Sequence, residues 1–321
     1  MDNLSVLVKE EVNEMEKTIN DFFSIIPGIE NAAPAPAVDA QTLKEDVFIR
    51  EWVSRNRPCL IKGAVKHWPA VEKWRHKEYW LSKCENFEVS VYPHQNYINQ
   101  TLHNNGHERM QYHDAIERLF SNKDHVFSMP GEQITENNRF AAILNDLGTF
   151  TFMPSPDPPR WYEKRRFFSY RRAHTAWHYH GVDETLMCQV NGAKRVALFS
   201  PSIPQAKHVT NFLLKEKYLE GQTLDKDLDL KPIIADVEEG DALYIPPYWH
   251  HGVVPKDGEI GFTLAFCWPS PIHILGDFSN FFVRDLYRGA MWPLGVKTFL
   301  LPLLGCYAGF MHYKRKLLGA Q

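Results

Sequence analysis

Leu4, Val8, Val12, Met15, Ile19 and Phe22 recur at three- and four-residue intervals, with acids and lysines between them. That period predicts an amphipathic helix within an N-terminal segment, residues 1–30. "NAAPAPAVDA" (31–40) then reads as a Pro/Ala linker that a helix does not cross. In "RNRPCLIKGAVKHWPAVEKW" (55–74), "CLIKGAV" has the continuous apolar run of a short buried strand, followed by a turn and a tryptophan-anchored helix. Residues 84–150 alternate between short strands such as "FEVSVYP" and polar helical stretches such as "YHDAIERLF".

From about Phe167 the pattern changes. "RFFSYRRAHTAWHYHG", "TLMCQVNG" and "AKRVALFSP" are strand-like runs separated by turn residues. A polar, helix-prone excursion over 202–239 interrupts them before "GDALYIPPYWHHGVV" and "IGFTLAFCW" resume the strand pattern. Short antiparallel strands around one insertion predict a mainly β fold with α elements: a double-stranded β-helix of the jelly-roll or cupin kind. Its domain is expected over 41–270, with an N-terminal α/β extension and a C-terminal helical, apolar tail over 271–321.

In that tail, "TFLLPLLGCYAGFMHY" (298–313) has 16 residues without Asp, Glu, Lys or Arg. A membrane-spanning helix needs about 20 apolar residues, and Pro302 and His312 weaken this run further. It reads as a buried helix or a homodimer-packing element, with "GCYAG" (305–309) a weak GxxxG match. Contact with a membrane surface, edged by Lys314, Arg315 and Lys316, is the alternative.

Composition narrows the function classes. The chain has 321 residues, 44% hydrophobic and 23% charged, with a net charge of −3, which argues against a general binder of nucleic acid or anionic membranes. Five cysteines, odd in number and without a CxxC pair, suit a reducing cytoplasm and exclude a zinc ribbon or disulfide scaffold. The first 20 residues carry acids and no long apolar core, so no secretory leader is expected.

The candidate chemistry lies in histidines. Strand side chains alternate faces, so His178 and His180 project together with Tyr179 opposite, and two imidazoles two residues apart grip one metal ion from a rigid strand. A third ligand comes from His250 or His251, of which alternation turns only one inward; His251 lies 71 positions beyond His180. Imidazole suits iron, zinc, copper and nickel alike. Asp183 competes as a ligand if the chain bulges at Gly181. His103, His107 and His113 are too irregularly spaced to predict a second centre.

Three motifs in order carry a resemblance. "RPCLIKGAVKHWPAVEKW", "TAWHYHGVDETLMCQVNGAKRVALFSP" and "GDALYIPPYWHHGV" resemble the signatures of the JmjC/cupin-8 family of Fe(II)- and 2-oxoglutarate-dependent oxygenases, of the factor-inhibiting-HIF and tRNA wybutosine hydroxylase type. The likeness covers roughly residues 42–270. It implies iron ligation by His178 and His251, with His180 standing where the family has a carboxylate. It also implies that Lys194 and Thr175 hold the distal carboxylate of the co-substrate 2-oxoglutarate, with O2 as oxidant. His250 falls on the variable position before the distal ligand.

The departures matter as much. Besides HxH for HxD, one extra residue precedes "LMCQV", and Thr185 and Ala265 stand where asparagines are expected. Neutral imidazole in place of carboxylate leaves a bound iron one unit more positive. Two further readings therefore stand beside the hydroxylase: a three-histidine dioxygenase acting without 2-oxoglutarate, and a cupin-like binding protein without turnover. The substrate is expected to be a small molecule or a peptide or protein. The basic, aromatic stretch "RWYEKRRFFSYRR" (160–172) reads first as a solvated strand face and second as an anion- or nucleic-acid-binding surface.

Overall fold

The computed structural model describes residues 22–92, 106–121, 126–153, 163–181, 183–256, 258–288, 293 and 295–318. The expected N-terminal helix lies outside these up to residue 21. Where description begins, Phe23 and Ile26 are buried beside Trp177, Val209 and Phe212.

Two short strands follow, β1 (Ala33–Pro34) and β2 (Ala37–Asp39), then helix α1 (Glu45–Glu51), β3 (Cys59–Lys62), α2 (Pro69–Lys73) and α3 (Lys77–Lys83). Next come β4 (Glu88–Val91), β5 (Glu108–Gln111), α4 (Tyr112–Ser121) and β6 (Phe127–Gln133). The core strands are β7 (Arg165–Arg171), β8 (Thr175–His178), β9 (Asp183–Asn191), β10 (Lys194–Phe199), β11 (Ile233–Val237), β12 (Ala242–Ile245), β13 (His250–Pro255) and β14 (Gly261–Pro269). Helix α5 (Ala206–Leu214) lies in the excursion between β10 and β11, and α6 (Phe281–Arg288) and α7 (Leu301–Leu318) close the chain.

The core strands divide between two sheets, in the orders β1-β11-β10-β13-β8 and β2-β3-β12-β9-β14-β7-β6. Strands β7–β14 thus form two facing four-stranded layers, a jelly roll, and the mainly β architecture with added helices is the one the strand pattern predicted. Alternation decides which residues face which core. Along β9, Leu186, Cys188 and Val190 turn outward into an aromatic cluster with Trp68, Trp74, Trp80 and Phe167, while Met187 turns inward to Val196, Leu198, Leu243 and Val253. Both faces are covered, so every residue of β9 is buried.

The Pro/Ala segment is not a plain linker. β1 pairs in parallel with β11 and β2 with β3, and the Ala35 amide donates to Ile234 O at 2.7 Å. Proline lacks an amide hydrogen, so such a segment is tolerated where it borders a sheet; here it crosses from one layer to the other.

The tail departs from the buried-helix reading. Gly305 and Gly309, the glycines of "GCYAG", face Phe278 within the same chain, and a Cβ at Gly276 would collide with the Ala308 carbonyl. Leu301 and Ala308 are buried, but Leu303, Tyr307, Phe310 and Leu317 are 63–72% exposed or, for Tyr307, 56%. The helix is therefore docked by its small residues and not buried. No described helix is long and apolar enough to cross a membrane.

This docking makes a prediction. Gly276→Ala should cost about 1–3 kcal/mol through overpacking, lowering the Tm by about 2–4 °C per kcal/mol. Hydrogen exchange should accelerate within 301–318. Unchanged exchange there would show that the glycine contact does not hold α7.

Candidate metal centre and cavity

His178 ends β8, His180 follows in the turn, and His251 is the second residue of β13. The β8–β13 register sets His178 directly opposite His251. Ring centroids are 4.1 Å apart for that pair, 4.9 Å for His180–His251 and 5.3 Å for His178–His180. One nitrogen from each ring lies within 4.8 Å of the others, the spacing of ligands around a single ion. Tyr179 points the other way, onto Tyr248, His250 and Phe282.

Each ring is oriented by its other nitrogen. His178 Nδ1 lies 2.8 Å from Ala176 O and His251 Nδ1 2.9 Å from Trp249 O. A carbonyl only accepts, so both Nδ1 atoms carry the proton and both Nε2 lone pairs remain for a metal. His180 Nδ1 lies 2.8 Å from Thr185 Oγ1, which in turn stands 3.9 Å from Cys267 Sγ. Unlike a carbonyl, a hydroxyl both donates and accepts, so Thr185 fixes the orientation of the third ring and not which nitrogen carries its proton. Burial holds His178 down to about 4, and His180 and His251 well below the usual histidine range, with repulsion from neighbouring imidazoles adding to it. The rings are thus neutral, as ligation requires.

Of the two adjacent histidines, alternation turns His251 inward. His250 is fully buried on the other face, stacked on Phe199 at 4.7 Å. Thr210 Oγ1 donates to Ala206 O, so His250 Nε2 donates to Thr210 at 3.0 Å. Asp183 does not join the ligand group: it is buried at the start of β9 but lines no part of the cavity, and Thr185, two positions on, takes the place beside His180. His113 is tied to Cys84 O at 3.0 Å and His107 sits against Tyr92, each in its own surroundings; His103 lies outside the described residues.

The triad opens into a cavity of about 300 Å³ lined also by Arg166, Phe168, Thr175, Met187, Lys194, Ile245, Val253, Thr263, Ala265 and Cys267. Lys194 begins β10 and is only 6% exposed. Its ammonium lies 4.0 Å from the Tyr170 ring centroid, and no carboxylate pairs with it among the described residues. Gln189 donates to Tyr170 Oη at 2.8 Å and accepts from Thr263 at 2.9 Å, which fixes the ring under the lysine. Burial pulls the ammonium pKa down to about 7. Thr175 begins β8 and lines the same cavity; Ala265, opposite Met187 on the neighbouring strand, leaves room where an asparagine would fill it.

Arg166 and Phe168 line the cavity and Tyr170 lies under Lys194, whereas the first reading of 160–172 made it a solvated strand face and only the second an anion-binding surface. Their period of two along β7 was the available signal. β7 lies between β14 and β6, so its alternate residues point inward.

The oriented ligand shell is open to test. Thr185→Val keeps the side-chain shape and removes the hydroxyl, and should weaken metal binding about 10- to 100-fold in a competitive cobalt or zinc titration. His250→Phe should lower thermal stability and leave metal affinity as it was. Equal affinity for Thr185→Val and the parent protein would remove the hydroxyl from the shell.

Known proteins agree with this architecture. The cupin-like domain family matches residues 44–272. Jumonji C domain-containing protein 5 of Drosophila melanogaster is 25% identical over 247 residues, 73% of this chain and 59% of that protein. The tRNA wybutosine-synthesizing protein 5 of Gallus gallus is 25% identical over 266 residues, 74% of this chain and 77% of that protein. A bifunctional peptidase and (3S)-lysyl hydroxylase of Homo sapiens is 48% identical over 44 residues, 14% of each chain. With the family matched across most of its length and the jelly roll carrying the three motifs in order, the chain belongs to the JmjC/cupin-8 family.

Proposed function

We propose that this protein is a non-haem Fe(II)-dependent oxygenase that uses 2-oxoglutarate and O2 to hydroxylate a C–H bond of a side chain or small molecule. The observation that carries the reading is Lys194. A buried ammonium with no carboxylate partner is costly, and this one shares a cavity with three neutral, oriented imidazoles. A ligand that offers a carboxylate to the lysine and further oxygens to a metal removes that cost, and 2-oxoglutarate has that shape.

The residues present fit both groups. His178, His180 and His251 would hold the iron through Nε2, and Lys194 with the Thr175 hydroxyl would hold the distal carboxylate by charge-assisted hydrogen bonds. Bound together, iron and 2-oxoglutarate supply an oxidant able to attack a C–H bond. Met187, Ile245, Val253 and Ala265 keep water away from the reacting position and offer no polar group to it. Thr185, as acceptor from His180 Nδ1, would leave Nε2 of that ring free for the metal.

A second reading follows from the ligand set. Three neutral imidazoles leave a bound iron more positive than two imidazoles and a carboxylate would, which suits direct O2 chemistry without a keto-acid. Anaerobic titration of the Fe(II)-loaded protein with 2-oxoglutarate separates the two. The oxygenase reading expects a saturable metal-to-ligand charge-transfer band, weakened in Lys194→Ala, followed by succinate release with substrate. Iron retained without any band would reject 2-oxoglutarate in favour of the second reading.

The lysine adds a pH signature. Its pKa near 7 in the free protein rises when a carboxylate pairs with it. Below pH 7 the ammonium is already charged and affinity is greatest. Above it each binding event takes up about one proton, and affinity falls up to about tenfold per pH unit until the pKa of the complex is reached. Calorimetry at pH 8 in buffers of different ionisation enthalpy should show that uptake, and Lys194→Met should abolish it.

A further inference from the structure

The lysine of the cavity does not fix its own position. A lysine has a long flexible stem, and its compact ammonium imposes no direction on its partners. Lys194 is held by what it rests on: its Nζ stands 4.0 Å from the centroid of the Tyr170 ring. Both residues are buried, at 6% and 4% exposure, and a cation gains most from a ring face where water is excluded.

The ring has a built place of its own. Gly261 lies opposite Tyr170 in the β7–β14 pairing, and a Cβ at Gly261 would overlap the phenol. The turn that carries Lys194 presses on the same point. A Cβ at Gly192, at φ +72°, would stand 2.9 Å from Ile260 O and 3.2 Å from Gly261 Cα. Two glycines thus let the ring and the lysine meet. Gln189, fully buried, closes the arrangement. The Asn191 carbonyl only accepts, so it faces the Gln189 amide nitrogen, whose second hydrogen goes to Tyr170 Oη, while Gln189 Oε1 accepts from Thr263.

Register turns this seat into a measure of length. β10 pairs Leu198 with His251 and Lys194 with Pro255, so four residues of β13, about 13 Å of strand, separate the row of the metal ligand from that of the lysine. A ligand held by both metal and ammonium must cross whatever part of that span the lysine side chain does not. Where the ammonium stops therefore decides which chain length fits.

We propose that Tyr170 is a positioning residue: seated over Gly261 and held by Gln189, it fixes the depth of the Lys194 ammonium and so selects the length of the dicarboxylate that bridges lysine and metal. This deepens the oxygenase reading and rests on it for the identity of that dicarboxylate as a 2-oxo acid. The hold of the ring on the lysine does not depend on that reading.

Two measurements on the full chain test it. The first loads the protein with Co(II) and follows the cobalt ligand-field bands on titration with 2-oxoglutarate, with 2-oxoadipate, one methylene longer, and with pyruvate, which lacks the distal carboxylate. The parent protein should favour 2-oxoglutarate over 2-oxoadipate by at least about tenfold. Tyr170→Leu should reduce that preference to about threefold or less and leave pyruvate affinity as it was. Gly261→Ala, which displaces the ring without touching the lysine, should do the same and serves if the leucine variant does not fold. Tyr170→Phe keeps the ring face and should retain most of the preference. The second measurement needs neither metal nor co-substrate: NMR titration of the Lys194 side chain, assigned by its absence from Lys194→Met. The ring favours the charged form, so Tyr170→Leu should lower the lysine pKa by about half to one and a half units. A parent protein that binds both diacids equally, a preference undiminished in Tyr170→Leu and Gly261→Ala, or an unmoved lysine pKa would each overturn the assignment. Should no 2-oxo acid bind while Tyr170→Leu still shifts the lysine, the oxygenase reading and the length selection fall together and the ring's hold on Lys194 stands.

Discussion

The antiparallel pairing of β8 with β13 sets His178 across from His251, and the chemistry of the molecule depends on that register. Strand side chains alternate with a period of two, so a slip of one residue on β13 would turn His250 inward and send His251 to the outer face. The outer face is already committed. His250 is stacked on Phe199 and donates to Thr210, whose helix is anchored by Val209, Phe212 and Leu213 in the cluster around Trp177. Apolar packing outside the barrel thus holds a polar site inside it. The turn after β8 is tied to the same strand junction, with the Tyr248 amide donating to His180 O at 2.8 Å.

Inside, electrostatics and burial work against each other in a useful way. Desolvation keeps three imidazoles neutral and depresses an ammonium, so the empty-handed protein carries less charge in its cavity than its residue types suggest. On the oxygenase reading, a metal and an anionic co-substrate would reverse that balance. The Tyr170–Gln189–Thr263 hydrogen bonds hold an aromatic ring under Lys194, and Phe168 lies beside the Arg166 guanidinium.

Much of this was legible in the chain. The strand runs from Phe167 onward and HxH with its two residues on one face follow from local periodicity and residue chemistry, because a strand's alternation is a local property; Lys194 was singled out by the family resemblance. The tail's shortage of charge was legible too, as was its insufficient length for a membrane span. What misled was equally physical. Proline and alanine between 31 and 40 signal a break in helix, yet two sheet edges in need of partners drew that segment into strand pairing. The apolar tail looked buried because hydropathy carries no information on which face meets a neighbour, whereas small residues at Gly276, Gly305 and Ala308 determine the docked side.

The sequence by itself determined the fold class and the placing of His178 and His180 on one strand face, since each rests on residue type and short-range spacing, while His251 and Lys194 were implied by the family resemblance. Tertiary structure placed His251 and not His250 inward, left Asp183 out of the ligand group with Thr185 beside His180, and put Arg166 in the cavity. Those outcomes depend on register between strands tens of residues apart and on which face of each strand the opposite sheet covers. Neither is written in any local stretch of the chain.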